Sequence, residues 1–206
     1  MTELGAIPAA RPAVLVIDNA VADRCLAAQA FATAGWMAVG VASDGWAAAG
    51  RAQPPSLVLV AGDGPPVAAL RATPNVGEAP LVAWTREGLT PSGYDDGLVK
   101  PFTPAAIAAL ARRWRPDDPS AVLGRLEAAL GRAEIAAMTA KLREQLRAAL
   151  ETGGRAEAHR IAGIAGMLGF AELGAAWLAV ADGAVDALPP ARIATRRALL
   201  ALARRG

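Results

Sequence analysis

The stretch Ala13-Val14-Leu15-Val16-Ile17-Asp18-Asn19 decides the fold of the first half of the chain. An apolar run rich in β-branched residues ends at two polar residues, which is typical of a strand buried on both faces. Similar short runs follow at residues 37–41, 56–60, 81–84 and 97–99, and helical segments lie between most of them. This alternation predicts a doubly wound α/β domain with a five-stranded parallel sheet over residues 11–115.

The second half of the chain shows no strand pattern. After the break Arg115-Pro116-Asp117-Asp118-Pro119, helices are predicted over residues 119–131, 133–150, 155–170, 172–185 and 190–205. Short connections that contain glycine or proline separate these helices, so neighbouring helices are expected to be antiparallel. We therefore predict an all-α domain of the four-helix-bundle type over residues 117–206.

His159 is the only histidine of the chain and lies in the third of these helices. Helical spacing predicts a buried stripe of Ala158, Ile161, Ala162, Ala165 and Leu168. A neighbouring stripe carries His159, Gly163, Gly166 and Phe170. Glycine inside a helix costs roughly 1 kcal/mol relative to alanine. Two glycines beside a histidine therefore indicate a bare surface that the backbone of another protein can approach.

The stretch from Ala158 to Phe170 resembles the phosphorylation-site helix of histidine-containing phosphotransfer (HPt) domains. The pattern of that family is matched at His159, Ile161, Gly163, Ala165, Leu168 and Gly169. Ala162 stands where the family often has a lysine, and Ile164 stands where it often has a small polar residue. Arg160 and Arg155 are candidates for the missing positive charge, and Arg155 is expected on the helix face of His159, four residues away.

The resemblance to HPt domains implies a phosphoryl carrier rather than an enzyme. His159 would accept a phosphoryl group from the aspartate of a partner receiver domain and pass it to another receiver. The partner receiver would supply the Mg²⁺ and the lysine that stabilise the transferred group. We therefore expect no cofactor, no metal ion and no ATP site in this chain.

The first half resembles the receiver domain of response regulators over roughly residues 11–115. Val16-Ile17-Asp18-Asn19 looks like the end of the first strand with its acidic metal-binding pair. Val82-Ala83-Trp84-Thr85 looks like the fourth strand with its hydroxyl residue, and Val99-Lys100-Pro101-Phe102 looks like the lysine-proline turn after the fifth. Residues 86–96 leave no room for a regular helix before that fifth strand.

One position of the receiver pattern is missing. Ala61 stands where the phosphoryl-accepting aspartate is expected, so the domain is predicted to be a pseudo-receiver that cannot be phosphorylated there. Asp63 is expected in the following loop, away from the metal site. Asn19 in place of the second acid weakens any Mg²⁺ site, because uncharged oxygen ligands bind the ion less well. Lys100 and Asp18 are then expected to be structural, for example as an ion pair.

Composition excludes several classes of partner and location. With a formal net charge of +2, the chain is not basic enough to suggest nucleic acid on charge alone. No stretch approaches the roughly 20 apolar residues of a membrane span, and the start of the chain lacks a secretory pattern. The single cysteine, Cys25, fits a reducing compartment, so a cytoplasmic location is expected. Richness in alanine and arginine is typical of a GC-rich bacterial genome.

These features bear on three functions. The first is a two-component phosphorelay protein, in which His159 carries phosphoryl groups between receivers of response regulators or hybrid histidine kinases. The pseudo-receiver would then select partners, regulate access or form a dimer. The second is an interaction protein that sequesters a receiver or a histidine kinase without transfer, an alternative that Ala162 and Ile164 favour. The order of sheet and then helices disfavours a dimeric phosphotransferase of the pseudo-kinase type.

Overall fold

A computed structural model of the protein describes residues 11–86 and 90–205, which form two compact units divided between Arg113 and Trp114. The first unit contains β1 (Ala13–Ile17), α1 (Val21–Thr33), β2 (Met37–Val41), α2 (Trp46–Ala52), β3 (Leu57–Ala61), α3 (Val67–Ala72), β4 (Leu81–Thr85), β5 (Asp96–Val99) and α4 (Pro104–Arg113). The second unit contains α5 (Ser120–Leu130), α6 (Arg132–Thr152), a 3₁₀ turn (Arg155–Glu157), α7 (Ala158–Met167), α8 (Ala171–Ala181) and α9 (Leu188–Ala203). Among the described helices, none has the length and apolar character needed to cross a membrane.

The five strands of the first unit form one parallel sheet in the order β2-β1-β3-β4-β5. Every residue of β1 and β3 is buried, as expected for central strands covered on both faces. This strand order is the flavodoxin-like form of the doubly wound fold, so the predicted α/β fold is confirmed. Ile17 pairs with Val60, and Ala61 pairs with Trp84. The residues that follow β1, β3 and β4 therefore meet at the carboxyl edge of the sheet.

The connection from β4 to β5 contains no helix in its described part, as the short interval predicts. Residues 87–89 of that interval lie outside the described residues. Arg71 of α3 holds the connection, since its guanidinium binds the Asp95 carboxylate at 2.6 Å and donates to the Gly77 and Ala79 carbonyls at 3.0 and 2.9 Å. One side chain thereby ties α3 to the chain just before β5.

The helices of the second unit surround a single core. Helix α6 contacts α7 and α9, α8 contacts the same two helices, and α5 packs against α6. The core includes Leu142, Leu146, Ile161, Leu173, Trp177 and Leu199. The buried indole N–H of Trp177 donates to Thr195 Oγ1 at 2.9 Å, and that hydroxyl donates to the Ala191 carbonyl at 2.7 Å. The largest polar group of this core is therefore satisfied.

Helix α7 is shorter at both ends than the predicted helix over residues 155–170. Residues 155–157 form a 3₁₀ turn, and a Schellman motif ends the helix, with the Phe170 N–H bound to the Ala165 carbonyl at 2.9 Å. Gly169 adopts a φ of 86°, which favours glycine. The chain turns there and buries Phe170. The prediction that Phe170 shares the stripe of His159 is therefore wrong.

The turn between α6 and α7 provides a matched pair of variants for testing the packing of Trp177. Gly153 and Gly154 both have positive φ, but a Cβ on Gly154 would lie 2.5 Å from the Trp177 ring, whereas one on Gly153 would meet no atom within 4 Å. We expect Gly154→Ala to lower the free energy of unfolding by about 2 kcal/mol more than Gly153→Ala, because the ring is fully packed. Thermal unfolding followed by far-ultraviolet circular dichroism measures this difference. Equal losses would contradict the packing described here.

Candidate functional site

His159 lies in the first turn of α7 and is exposed to solvent. The residues of the predicted inner stripe, Ala158, Ile161, Ala165 and Leu168, are fully buried, and Ala162 is half-buried. Gly163, Gly166 and Met167 are exposed. The predicted division of the helix into a core face and a solvent face that carries His159 is confirmed.

The two exposed glycines of α7 serve no packing role inside the unit. A Cβ on Gly163 or Gly166 would meet no atom within 4 Å. Gly174 of α8 differs, because a Cβ there would lie 3.2 Å from the Ala162 carbonyl oxygen and 3.4 Å from the Gly166 nitrogen. Gly174 thus allows α8 to pack closely on α7. Gly163 and Gly166 leave the outer surface of α7 free of side chains beside His159.

The two positions that depart from the HPt pattern have a structural role. Ala162 and Ile164 are partly buried and pack against the core of the second unit. Because these positions contribute to packing, their apolar character has a local physical cause. The positive charge that the family often carries on this helix is therefore absent from position 162.

The arginines near His159 are placed differently from each other. Arg160 is exposed and forms an ion pair with Glu157, three residues earlier. Arg155 lies in the 3₁₀ turn, before α7 begins at Ala158. The expectation that Arg155 occupies the α-helical face of His159 is wrong, because a 3₁₀ turn has three residues per turn rather than 3.6.

Asp18 lies at the carboxyl end of β1 and is only 2% exposed. Its Oδ2 binds Lys100 Nζ at 2.6 Å, and its Oδ1 accepts the Ala20 N–H at 2.7 Å. Lys100 also binds Asp23 of α1 at 2.9 Å. Burial lowers the pKa of Lys100, but its hydrogen bonds to Asp18 and Asp23 and their negative charges raise it by more, so the pKa lies above its ordinary value. The expected ion pair is present, with Asp23 as a further member.

Lys100 also contacts an aromatic wall. Its ammonium lies 4.0 Å from the ring centroid of Trp84, a geometry that favours the charged amine. The rings of Trp84 and Phe102 lie 5.3 Å apart at 54°. Sequence reasoning missed the roles of Asp23 and Trp84. The available signal was that Asp23 lies in the first turn of α1, shortly after Asp18, and that an aromatic residue precedes Thr85.

The remaining positions of the receiver pattern, Asn19, Ala61 and Thr85, lie at the same edge of the sheet. Asn19 Nδ2 donates to the Asp63 carboxylate at 2.9 Å, and its Oδ1 accepts the Ser43 N–H at 3.0 Å. Ala61 is the last residue of β3 and is buried. The half-buried Thr85 accepts the Lys100 N–H at its carbonyl, 2.7 Å away. Asp18, Asn19, Ala61, Thr85 and Lys100 thus share the carboxyl edge of the sheet.

This donor set does not fit Mg²⁺. The described residues include no cluster of three acidic, histidine or cysteine side chains that could hold an ion. Both oxygens of Asp18 are already bonded within the protein, and Asn19 is bound to Asp63. The carboxylates of this group, Asp18 and Asp63, are both engaged in hydrogen bonds within the protein, which leaves too few free anionic ligands for a hard divalent cation.

No protein-family model matches the sequence, and no curated protein matches it. Several solved receiver structures are similar, and each covers about half of this chain. The chemotaxis response regulator CheY4 of Vibrio cholerae has 21% identity over 50% of this chain and 98% of its own, with a TM-score of 0.44. The receiver domain of the sensor histidine kinase PA1611 from Pseudomonas aeruginosa has 21% identity over 51% and 98%, with a TM-score of 0.45. A receiver-modulated diguanylate cyclase of Pelobacter carbinolicus has 19% identity over 50% and 91%, with a TM-score of 0.44. The fold assignment itself rests on the strand order.

Replacing Lys100 and replacing Arg113 should have unequal effects on the free energy of unfolding. Lys100→Met leaves the buried Asp18 carboxylate without a counter-charge and should lower the free energy of unfolding by about 3 kcal/mol. Arg113→Met breaks the ion pair of an exposed arginine with Asp96, also 2.6 Å long, and should cost less than about 1 kcal/mol. Hydrogen exchange of the β1 and β3 amides reports both values. The double variant Asp18→Asn, Lys100→Met should be more stable than Lys100→Met, and a further loss instead would contradict this explanation.

Proposed function

We propose that the second unit is a histidine phosphotransfer domain in which His159 receives a phosphoryl group from the aspartate of a partner receiver and passes it to another receiver. The observation that carries this proposal is an exposed histidine beside Gly163 and Gly166, two positions where a Cβ would meet no atom of the described residues within 4 Å. The match to the HPt pattern supports it. The closed contact cycle of α6, α7, α8 and α9 also fits a four-helix domain.

The chemistry requires only a nucleophile and access for the partner. The free electron pair of one imidazole nitrogen attacks the phosphorus of the aspartyl phosphate. A P–N bond forms while the P–O bond breaks, and the carboxylate leaves with the bonding electrons. The N–H proton of the other ring nitrogen is then released to solvent, and the reverse sequence delivers the group to the next aspartate. The partner's Mg²⁺ and lysine would neutralise the transferred group, so this chain would contribute only the placement of the His159 imidazole.

The place of His159 in the helix assists a negatively charged group. The first turn of α7 is the positive end of the helix dipole, which favours an anion by about 0.3–1 kcal/mol at an exposed site. Arg160 adds a cation one residue away, although Glu157 partly neutralises it. Arg155 is exposed in the preceding 3₁₀ turn and adds a second positive charge to this region.

The first unit would act without being phosphorylated at its central position. Ala61 provides no carboxylate, and Lys100 is already neutralised by Asp18 and Asp23. We assign it a role in partner selection, in access to His159 or in dimer formation, and we place the protein among cytoplasmic two-component signalling proteins with receivers as partners.

A second candidate function is sequestration of a receiver or a histidine kinase without transfer. It is favoured by Ala162, which replaces the lysine common in HPt domains with a packed apolar residue. The same surface would serve for binding, so only transfer itself separates the two functions.

Phosphotransfer from radiolabelled phospho-receivers of the same organism tests the carrier function. We expect rapid labelling of the wild-type chain that is acid-labile and base-stable, as phosphohistidine is, and no labelling of His159→Gln. The variant should fold normally because His159 is exposed. Binding of receivers without any labelling would overturn the carrier function in favour of sequestration.

Replacing the exposed glycines of α7 by alanine should raise stability and slow phosphotransfer. Gly163→Ala and Gly166→Ala should each raise the free energy of unfolding by about 1 kcal/mol, because alanine favours the helix and each Cβ has open space. Both should slow transfer about ten- to hundredfold, because the methyl groups hold the partner away from His159.

The matched control is Gly124→Ala in α5, where a Cβ also meets no atom within 4 Å. It should raise stability similarly and leave the transfer rate unchanged. Unfolding measurements and transfer kinetics on the three variants show whether the partner approaches the surface at Gly163 and Gly166. Unchanged transfer in Gly163→Ala and Gly166→Ala would show that the partner does not approach this surface.

A further inference from the structure

We propose that the first unit binds a small aromatic anion in a cavity of about 850 Å³ beside α1 and α4. This α1–α4 cavity is lined by Leu26, Trp84, Arg86, Lys100, Phe102 and Pro104, among others. It involves neither His159 nor any other residue of the second unit. A failure of the phosphotransfer function would therefore not count against this binding site, and the reverse also holds.

The size and composition of the cavity suit a small molecule. Ligand pockets typically have volumes of about 300–1,000 Å³ and mostly apolar walls with a few polar groups. Here Leu26, Trp84, Phe102 and Pro104 are among the apolar lining residues, Lys100 and Arg86 are the cationic ones, and Asp23, which is paired with Lys100, is the acidic one. A ligand with an apolar body and one charged end matches this combination of apolar walls and charged groups.

The apolar part of the cavity favours a flat ring. Phe102 is half-buried and lines the cavity, and its ring packs at 5.3 Å and 54° on Trp84, which is only 1% exposed. An aromatic ligand can pack against Phe102. Trp84 is buried within β4 and supports the Phe102 ring. Leu26 is 57% exposed, and a bound ring would remove part of its side chain from water.

The charge of the ligand follows from the cations of the cavity. Lys100 is neutralised by Asp18 and Asp23. Arg86 is exposed and has no ion-pair partner among residues 11–86 and 90–205. One unpaired guanidinium matches one carboxylate or sulfonate through paired N–H donors, whereas a polyphosphate would need more donors. A single anionic group is therefore expected.

One end of the cavity lies where ligands bind in doubly wound sheets, and the other end reaches Thr33 and Ala34 at the end of α1. Arg86 follows β4 and the Lys100–Phe102 segment follows β5, so both lie at the carboxyl ends of parallel strands. Ligands of such sheets bind outside these ends. Because Lys100 lines the cavity and also binds Asp18, occupancy of the cavity acts on the ion network that replaces the receiver chemistry.

The fluorescent aromatic anion 8-anilinonaphthalene-1-sulfonate, titrated into the full chain, is the probe for this site. We expect saturable binding of one molecule per chain and displacement by naphthalene-1-sulfonate, but much weaker displacement by the neutral naphthalene-1-methanol. Leu26→Glu should weaken binding at least about tenfold, because it puts a carboxylate against the apolar wall. Leu130→Glu is the matched control, since Leu26 and Leu130 are each 57% exposed and Leu130 lies in the second unit.

Arg86→Gln tests the anionic end of the ligand, with the exposed Arg51 of α2 changed to Gln as its control. We expect about a tenfold weaker affinity for Arg86→Gln alone. In nuclear magnetic resonance spectra, the Trp84 indole signal, identified through Trp84→Phe, should shift on titration while that of Trp177 does not. Equal binding by Leu26→Glu and Leu130→Glu, or an unmoved Trp84 signal, would overturn the site. Equal competition by the neutral compound would overturn the requirement for an anion.

Discussion

A buried carboxylate governs the chemistry that the first unit can perform. Asp18 is fully buried at the end of β1, and a charge in such a place is tolerated only when it is paired. Lys100, which follows the edge strand β5, pairs with Asp18 and binds Asp23 as well. In a doubly wound domain the carboxyl ends of the strands form the reactive edge. Here Asp18, Lys100 and Asp23 form an ion network at that edge.

In the second unit, by contrast, one face of α7 is open. Gly174 lets α8 pack tightly on α7, which fixes the helix that carries His159. Gly163 and Gly166 on the outer side have no such packing role. A helix that is packed on its inner face and bare on its outer face suits the proposed function, in which a second protein must reach the nucleophile. Under that proposal, access for the partner explains the two exposed glycines.

Under the proposed function, the two units divide a signalling task between them. Transfer belongs to His159, and recognition or regulation belongs to the first unit, in which Ala61 provides no carboxylate. The α1–α4 cavity offers one physical route for regulation, because Lys100 belongs both to its wall and to the ion pair with Asp18. A small molecule would then act on the element that the receiver fold ordinarily uses for phosphorylation.

The sequence by itself determined the parallel sheet, the helical second half and the solvent-facing place of His159, because apolar runs and helical spacing report burial directly. The absence of a carboxylate at Ala61 was also readable, since it depends on residue identity alone. Only the tertiary structure decided the 3₁₀ placement of Arg155, the burial of Phe170 after Gly169 and the joining of Asp23 and Trp84 to Lys100. Those features depend on left-handed backbone geometry and on contacts between residues far apart in the chain, which local periodicity does not encode.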